Sequence, residues 1–266
     1  MIITLLTDYG SDDEFAGICR GVIARIAPDA RMIDITHGIP RHDIRRGAIV
    51  LRNAIDYVPK GVHLAVVDPT VGTPRRAIAV LCADGHLLVG PDNGLLSMAW
   101  DRCGGAIEAV DLNLSPFRLE PVSATFHGRD LFAPVAAQLA LGASLDDAGE
   151  RVDTEELVRL ELPEPEIEGG VVSAHALLID RYGNVGLNLT HEALAGTGLM
   201  LGRSVVIDVR DSSHQAVFAQ TFGDVREGEL VVYEDAYRSL ALAINHGNAA
   251  ALLGLSPDDP VRLTPG

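Results

Sequence analysis

The sequence predicts two domains of different class. An N-terminal, mainly parallel α/β sandwich spans residues 1–163, a linker spans 164–170, and an all-β, barrel-like domain spans 171–266. Three observations predict this. Apolar runs alternate with helical periods through the first part of the chain, as strands joined by crossover helices require. The stretch ELPEPEIEGG at 161–170 holds two prolines, four glutamates and a glycine pair with no apolar period, which is linker chemistry. Beyond it come short strands and turns with little helix, the texture of a sandwich or barrel.

The elements follow in order. MIITLLTDYG reads as a buried parallel strand ending in a turn cluster, and DEFAGICRGVIARIAP has helical spacing closed by a proline. ARMIDITHGIP is a second strand, DIRRGAIVLRNAIDYVP a second helix and GVHLAVVDP a third strand. RAIAVLCADGHLLVGPDNG differs: two short strands about Ala83-Asp84-Gly85 form a hairpin. GLLSMAWDRC and GRDLFAPVAAQLALG read as helices. In the second domain VVSAHALLIDRYGNVGLNLT, SVVIDVR, AVFAQTF and GELVVYEDAYRSLALAIN supply the strands.

Composition excludes several classes. The net charge is −16, from 21 Lys+Arg against 37 Asp+Glu, so a nucleic-acid partner is not expected. No apolar run reaches the length of a membrane span. The opening stretch lacks a basic region and meets Asp8 early, which argues for a cytoplasmic protein without a signal peptide. Three cysteines, Cys19, Cys82 and Cys103, form no CxxC pair and read as reduced structural thiols. No HExxH-like spacing occurs, and His37 and His42 flank a proline, so no metal is expected. The absence of GxGxxG and GxxxxGK argues against a dinucleotide site and a P-loop.

Three stretches carry candidate chemistry. In TDYGSDDEFAG, Asp8 sits where strand one ends, the edge at which open α/β sheets bind ligands, and a carboxylate there can accept both hydroxyls of a ribose. Asp12 or Asp13 reads as the cap of the following helix. In HLAVVDPTVGTPRRAIAV, a strand ends at Asp68 and a turn delivers Arg75 back towards it, either as a buried ion pair or as a ligand-edge pair. In SATFHGRDLFAP, His127 precedes a helix and completes an Asp–Arg–His proton-handling set. GPDNG reads as turn chemistry at Asp92 and Asn93. In the second domain Asp180 precedes a turn holding Gly183-Asn184, and NHGNAA places Asn248 beside small residues that let a flat ring approach. A rival reading starts from LTDYGSDD. It matches the later aspartates of the nucleoside-hydrolase calcium motif, but Leu6 replaces the first ligand, and calcium wants six to eight oxygens.

Six stretches in order, TDYG, VVDPTVGTPRRA, GPDNGLLS, TFHGRDLFAP, DRYGN and INHGNAA, resemble the S-adenosylmethionine hydroxide adenosyltransferases, relatives of the fluorinase and chlorinase enzymes. The resemblance runs from residue 3 to about 254. It implies hydrolysis of S-adenosyl-L-methionine to adenosine and L-methionine, with no cofactor, in a homotrimer whose active site lies at the subunit interface; a non-catalytic binder of adenosine or S-adenosylmethionine is the alternative. It implies Asp68, Arg75 and His127 as the catalytic set and Asp8 as the ribose ligand. Phe126 is expected beside the reacting carbon, and Asp180, Asn184, Tyr233 and Asn248 as contacts from the second domain. In the fluorinase relatives a Tyr stands where this chain has Asp68. The halogenating relatives hold the methionine carboxylate with a Ser-Arg pair, where this chain reads Ala236-Tyr237.

Overall fold

The computed structural model describes residues 1–266. The chain folds as two compact units, Met1–Leu160 and Glu161–Gly266.

The first unit is built on a seven-stranded sheet. Its strands in chain order are β1 (Ile2–Thr7), β2 (Arg31–Thr36), β3 (Val62–Val66), β4 (Ala77–Cys82), β5 (Leu87–Pro91), β6 (Ala106–Asp111) and β7 (Glu150–Val152). The sheet order is β2-β1-β3-β5-β4-β6-β7. β2, β1, β3 and β5 are parallel, and β4, β6 and β7 continue by antiparallel pairing. The expected hairpin is β4–β5, with β5 inserted between β3 and β4. β6 and β7 have no counterpart in the sequence reading: Glu108 interrupts the apolar run of AIEAVD, and ERV is only three residues long and mostly charged.

Alternation along the strands sorts the core into two layers. Ile3, Leu5, Leu64, Val66 and Ala79 face α1 (Phe15–Ile26) on one side of the sheet. Leu6, Ala65, Val67, Ile78 and Val80 face α2 (Ile44–Ile55) and α3 (Ser97–Arg102) on the other. Helix α4 (Ala133–Ala140) packs beside α1. A wide π-type turn, Gly128–Phe132, leads into α4, and the N–H of Ala133 donates to the carbonyl of Gly128. Asp43 caps α2 by accepting from the Arg46 N–H at 2.9 Å. Aspartates 12 and 13 do not cap α1: its N-cap is Glu14, with no side-chain bond. A short turn of helix, α5 (Leu145–Ala148), precedes β7 and is closed by a Ser144–Asp147 capping box.

The second unit is a closed barrel. Its strands are β8 (Glu166–Glu168), β9 (Val171–Ile179), β10 (Val185–Thr190), β11 (Ser204–Val209), β12 (Ser212–Phe218), β13 (Leu230–Glu234), β14 (Ser239–Ile244) and β15 (Pro260–Pro265). Seven of them run β10-β14-β13-β12-β11-β15-β9, and pairing of β9 with β10 closes the ring. Only β12 and β13 pair in parallel. β8 falls within the stretch expected as linker, where Glu166–Glu168 pairs with the start of β9. Short helices α6 (His191–Leu194) and α7 (Ala249–Leu253) complete the unit. Val172, Val205, Ile207, Val232, Leu240, Leu242 and Leu263 fill the interior.

The edge strands carry charge. On β2, Asp34 pairs with Arg20 at 2.7 Å. On β7, Arg151 pairs with Glu108 at 2.6 Å. β8 has the sequence Glu-Ile-Glu. No helix of the chain is long and apolar enough to cross a membrane.

Candidate active site

β1 and β3 are parallel neighbours with Thr7 opposite Val66, so their carboxyl ends stop side by side. Asp8 and Asp68 leave the sheet at that edge. Both line a cavity of about 430 Å³ in the first unit, together with Tyr9, Asp13, Phe15, Arg41, His42, Val71, Thr125, His127 and Gly128.

Asp68, Arg75 and His127 meet in one hydrogen-bonded set. Arg75 Nε donates to Asp68 Oδ1 at 3.1 Å and to Oδ2 at 3.0 Å, and Nη2 closes a further short bond to Oδ2. The same Nη2 lies 3.0 Å from His127 Nδ1. The Asp68 and Arg75 side chains are 5% and 8% exposed, so solvent screens the pair little. The guanidinium also sits over the Phe132 ring, 5.3 Å from its centroid. A guanidinium has no acceptor, so His127 Nδ1 must accept, and the ring proton resides on Nε2. Burial, and then the charge of Arg75, push the His127 pKa below its ordinary value, against the pull of Asp68 and Asp130.

Neighbouring groups fix this geometry. Asp130, three residues after His127, takes bonds from Arg129 Nε at 2.6 Å, Arg129 Nη2 at 2.8 Å and the Ser123 N–H at 2.8 Å. Burial works to raise its pKa, and these bonds outweigh it, so the carboxyl is held below its usual range. A Cβ on Gly128 would come 2.2 Å from the Tyr9 hydroxyl, so only glycine lets that phenol pack against the turn. Burial, then the negative groups around it, raise the Tyr9 pKa well above normal and keep it a phenol.

Asp8 Oδ2 accepts from the His42 N–H at 2.9 Å, in a loop where His42 adopts φ 66°. Its other oxygen has no protein partner among the bonds of the site. Phe126 meets Phe15 edge-on at 5.2 Å and Tyr9 at 5.9 Å, and so supports two walls of the cavity. The sequence reading did not select Tyr9, Phe15, Arg41, Val71 or Thr125. Tyr9 adjoins Asp8, Thr125 stands just before Phe126-His127 and Val71 lies in the turn after Asp68, whereas Phe15 and Arg41 carried no local signal. His42 was weighed only as a metal ligand. Asp92 and Asn93 have structural work: Asp92 takes Arg76 Nε at 2.9 Å, and Asn93 Nδ2 donates to the Val67 carbonyl at 2.9 Å.

The second unit holds its own cavity of about 590 Å³, lined by Tyr182, Asn184, Phe222, Ile244, Asn245, His246, Gly247 and Asn248. Asn184 and Asn248 therefore share one wall. Asp180 is spent inside the turn: Oδ1 accepts from the N–H groups of Tyr182 at 2.8 Å and Asn184 at 2.9 Å, and Oδ2 accepts from Asn184 Nδ2 at 2.8 Å. Its carboxylate aims the Asn184 amide. Asn248 Oδ1 accepts from the Ala251 N–H at 2.7 Å and caps α7. Tyr233 packs on Phe222 at 4.8 Å, and burial, then Asp235 and Asp180, push its phenol up to about 12.

Residues 3–149 match the family model of the SAM hydroxide adenosyltransferase N-terminal domain, and residues 174–262 that of its C-terminal domain. A Salinispora tropica protein named (R)-S-adenosyl-L-methionine hydrolase is 50% identical over 266 residues, covering 99% of this chain and 98% of its own. A Thermus thermophilus protein of the same name is 38% identical over 276 residues, covering 98% of each. A fluorinase from Actinopolyspora mzabensis is 26% identical over 292 residues, covering 99% and 97%. The crystal structure of an uncharacterized conserved protein from Thermotoga maritima superposes with a TM-score of 0.92 at 34% identity, covering 99% of both chains. With both domains matched in order and nearly full-length relatives at this identity, the chain belongs to the SAM hydroxide adenosyltransferase family.

Proposed function

We infer that this enzyme hydrolyses S-adenosyl-L-methionine to adenosine and L-methionine, the reaction implied for its family and for the relatives named as hydrolases. The observation that carries the residue assignment is the bridge made by one guanidinium between Asp68 and His127, both of which face the cavity that Asp8 also lines.

In our reading, Asp8 holds the ribose hydroxyls and so sets C5′ near the Asp68–His127 wall. A water attacks C5′ in line with the C5′–S bond. The new C–O bond forms as C5′–S breaks, and its electron pair neutralises the sulfonium, so the thioether of methionine leaves without needing a proton. The attacking water must lose one. His127 Nε2 already carries hydrogen, so it serves as a donor that orients the oxygen. Asp68 is then the member of the set that can accept the proton. Arg75 holds both partners and offsets the negative charge gathered there.

Asn184 and Asn248 are proposed to receive the adenine, with Asp180 and Tyr233 supporting that wall. We further propose a homotrimer, in which the second unit of one subunit serves the first unit of its neighbour, and a cytoplasmic location. Metal-assisted nucleoside hydrolysis is disfavoured by Leu6. It is fully buried in the core and offers no oxygen where that motif needs its first ligand.

Incubation with S-adenosyl-L-methionine, followed by chromatography, tests the reading. Adenosine and methionine in equal amounts, unaffected by chelator, are expected. Free adenine, or substrate recovered intact, would overturn it.

A further inference from the structure

At the opposite end of the same sheet lies a second cluster that the hydrolytic chemistry does not use. We propose that Asp84, His86 and Cys103 form a binding site for a divalent transition metal ion of the Zn²⁺ type.

The ligand atoms of these three residues all lie within 4.8 Å of one another. A four-coordinate Zn²⁺ takes bonds of about 2.3 Å to sulfur and about 2.0–2.2 Å to nitrogen and oxygen, which sets donor pairs about 3.3–3.7 Å apart. Small side-chain rotations close the existing spacing onto that geometry. One thiolate, one carboxylate and one neutral imidazole balance a dication, so occupation leaves no net buried charge. The mixed sulfur, nitrogen and oxygen set suits a borderline ion rather than calcium or magnesium, which want oxygen alone.

The backbone already holds the three in place. Asp84 and His86 flank Gly85 in the β4–β5 turn, and Cys103 follows α3. The N–H of Asp84 donates to the Cys103 carbonyl at 3.2 Å, and the N–H of Ala83 to the Gly105 carbonyl at 3.0 Å. His86 and Cys103 are buried while Asp84 is exposed, so an ion can enter from the Asp84 side.

The supporting groups are those expected behind a metal-bound imidazole. His86 Nδ1 lies 2.6 Å from His63 Nε2, and His63 Nδ1 lies 2.8 Å from Thr4 Oγ1. Thr4 and His63 are wholly buried, opposite each other on β1 and β3. If His86 Nδ1–H donates to His63 and His63 Nδ1–H donates to Thr4, His86 Nε2 is left with a free lone pair. A ligating histidine has this arrangement. That Nε2 lies 3.7 Å from Asp84 Oδ2, too far for a hydrogen bond and consistent with an ion between them. Cys82 stands beside Cys103 and its S–H can donate to the ligating sulfur. No local motif announces this set, because Cys103 comes from a different turn than Asp84 and His86. The inference therefore departs from the metal-free expectation drawn from histidine spacing.

The test uses the full-length protein stripped with chelator and titrated with Co²⁺. The expected result is one equivalent per chain, a thiolate-to-cobalt charge-transfer band in the near ultraviolet, and displacement by Zn²⁺. Cys103→Ser should abolish the band and Cys82→Ser should keep it. Asp84→Asn, at an exposed position, should fold normally and bind Co²⁺ more than about tenfold more weakly. Hydrolysis of S-adenosyl-L-methionine by Asp84→Asn reports that the fold is intact. A wild-type protein with no charge-transfer band overturns the proposal. So does a band that survives in Cys103→Ser, or Asp84→Asn binding as tightly as wild type.

Discussion

Arg75 Nη2 stands 3.0 Å from His127 Nδ1, and a guanidinium nitrogen can only donate. This fixes the resting tautomer of His127 and gives its titration a sign. Burial and Arg75 lower its pKa from 6.5, so protonation breaks the Arg75 bond and places two cations in contact. The neutral ring is required, and activity should be level around neutrality and fall as pH drops through the lowered value. Because the unfolded chain binds that proton more readily, stability also declines as pH falls below about 6.5. A pH profile of kcat/KM checks this: an acid limb centred above 6.5, or one unchanged in His127→Asn, would contradict the assignment.

Asp8→Asn should weaken binding more than it slows turnover. A carboxylate accepting two ribose hydroxyls makes charge-assisted bonds worth roughly 1.5–3 kcal/mol each, and Asn retains one acceptor oxygen. KM should rise tenfold or more while kcat changes little. A normal KM with collapsed kcat would give Asp8 a chemical role instead.

Chloride should not replace water as the nucleophile. Asp68 is 5% exposed, and at ~4 Å with an effective dielectric of ~20 two like charges cost about 4 kcal/mol, an upper figure because the Arg75 guanidinium bonded to Asp68 offsets part of it. Wild-type enzyme in high chloride should yield adenosine and no 5′-chloro-5′-deoxyadenosine by mass spectrometry. Asp68→Ala should lose hydrolysis by about a hundredfold or more. Halogenated product at a rate comparable to adenosine would refute the electrostatic argument.

If the site is shared between subunits, Asp68→Ala and Asn184→Ala chains should complement one another. Mixed oligomers, with exchange verified by mass-tagged subunits, should recover part of the activity that each variant lacks. Two inactive proteins that stay inactive after exchange would place the whole site within one chain.

Gly183→Ala should damage the second cavity. An added Cβ would lie 2.1 Å from Asn248 Cγ, and Gly183 adopts φ 83°, which side chains resist. A loss of roughly 1–3 kcal/mol in stability is expected, with weaker substrate binding. Thermal denaturation and KM measured on the same preparation check both, and an unchanged Tm would show that the turn relaxes freely.

The chemistry-bearing ends of the strands were legible because an apolar run halting at a carboxylate is a local signal. Asp8, Asp68 and the returning Arg75 all announce themselves in this way. So did the β4–β5 hairpin, through Ala83-Asp84-Gly85. Its insertion between β3 and β4 was not legible, since strand order depends on long-range packing that no turn encodes. Arg41 and His42 reach the cavity through a loop closed by the Asp8–His42 bond, a contact 34 residues apart in sequence. The role of Asp180 was half legible: the turn was evident, but not that both its oxygens would be consumed there.

The charged edge strands bear on how copies of this protein can associate. Open sheet margins are templates for adding a foreign strand, and here β2, β7 and β8 each present carboxylates or guanidiniums along that margin. With a net charge of −16, uncontrolled growth of sheet from chain to chain is opposed at every available border. Self-association is thereby left to surfaces other than the strand margins, so crowded solutions of this protein should resist fibrillar aggregation.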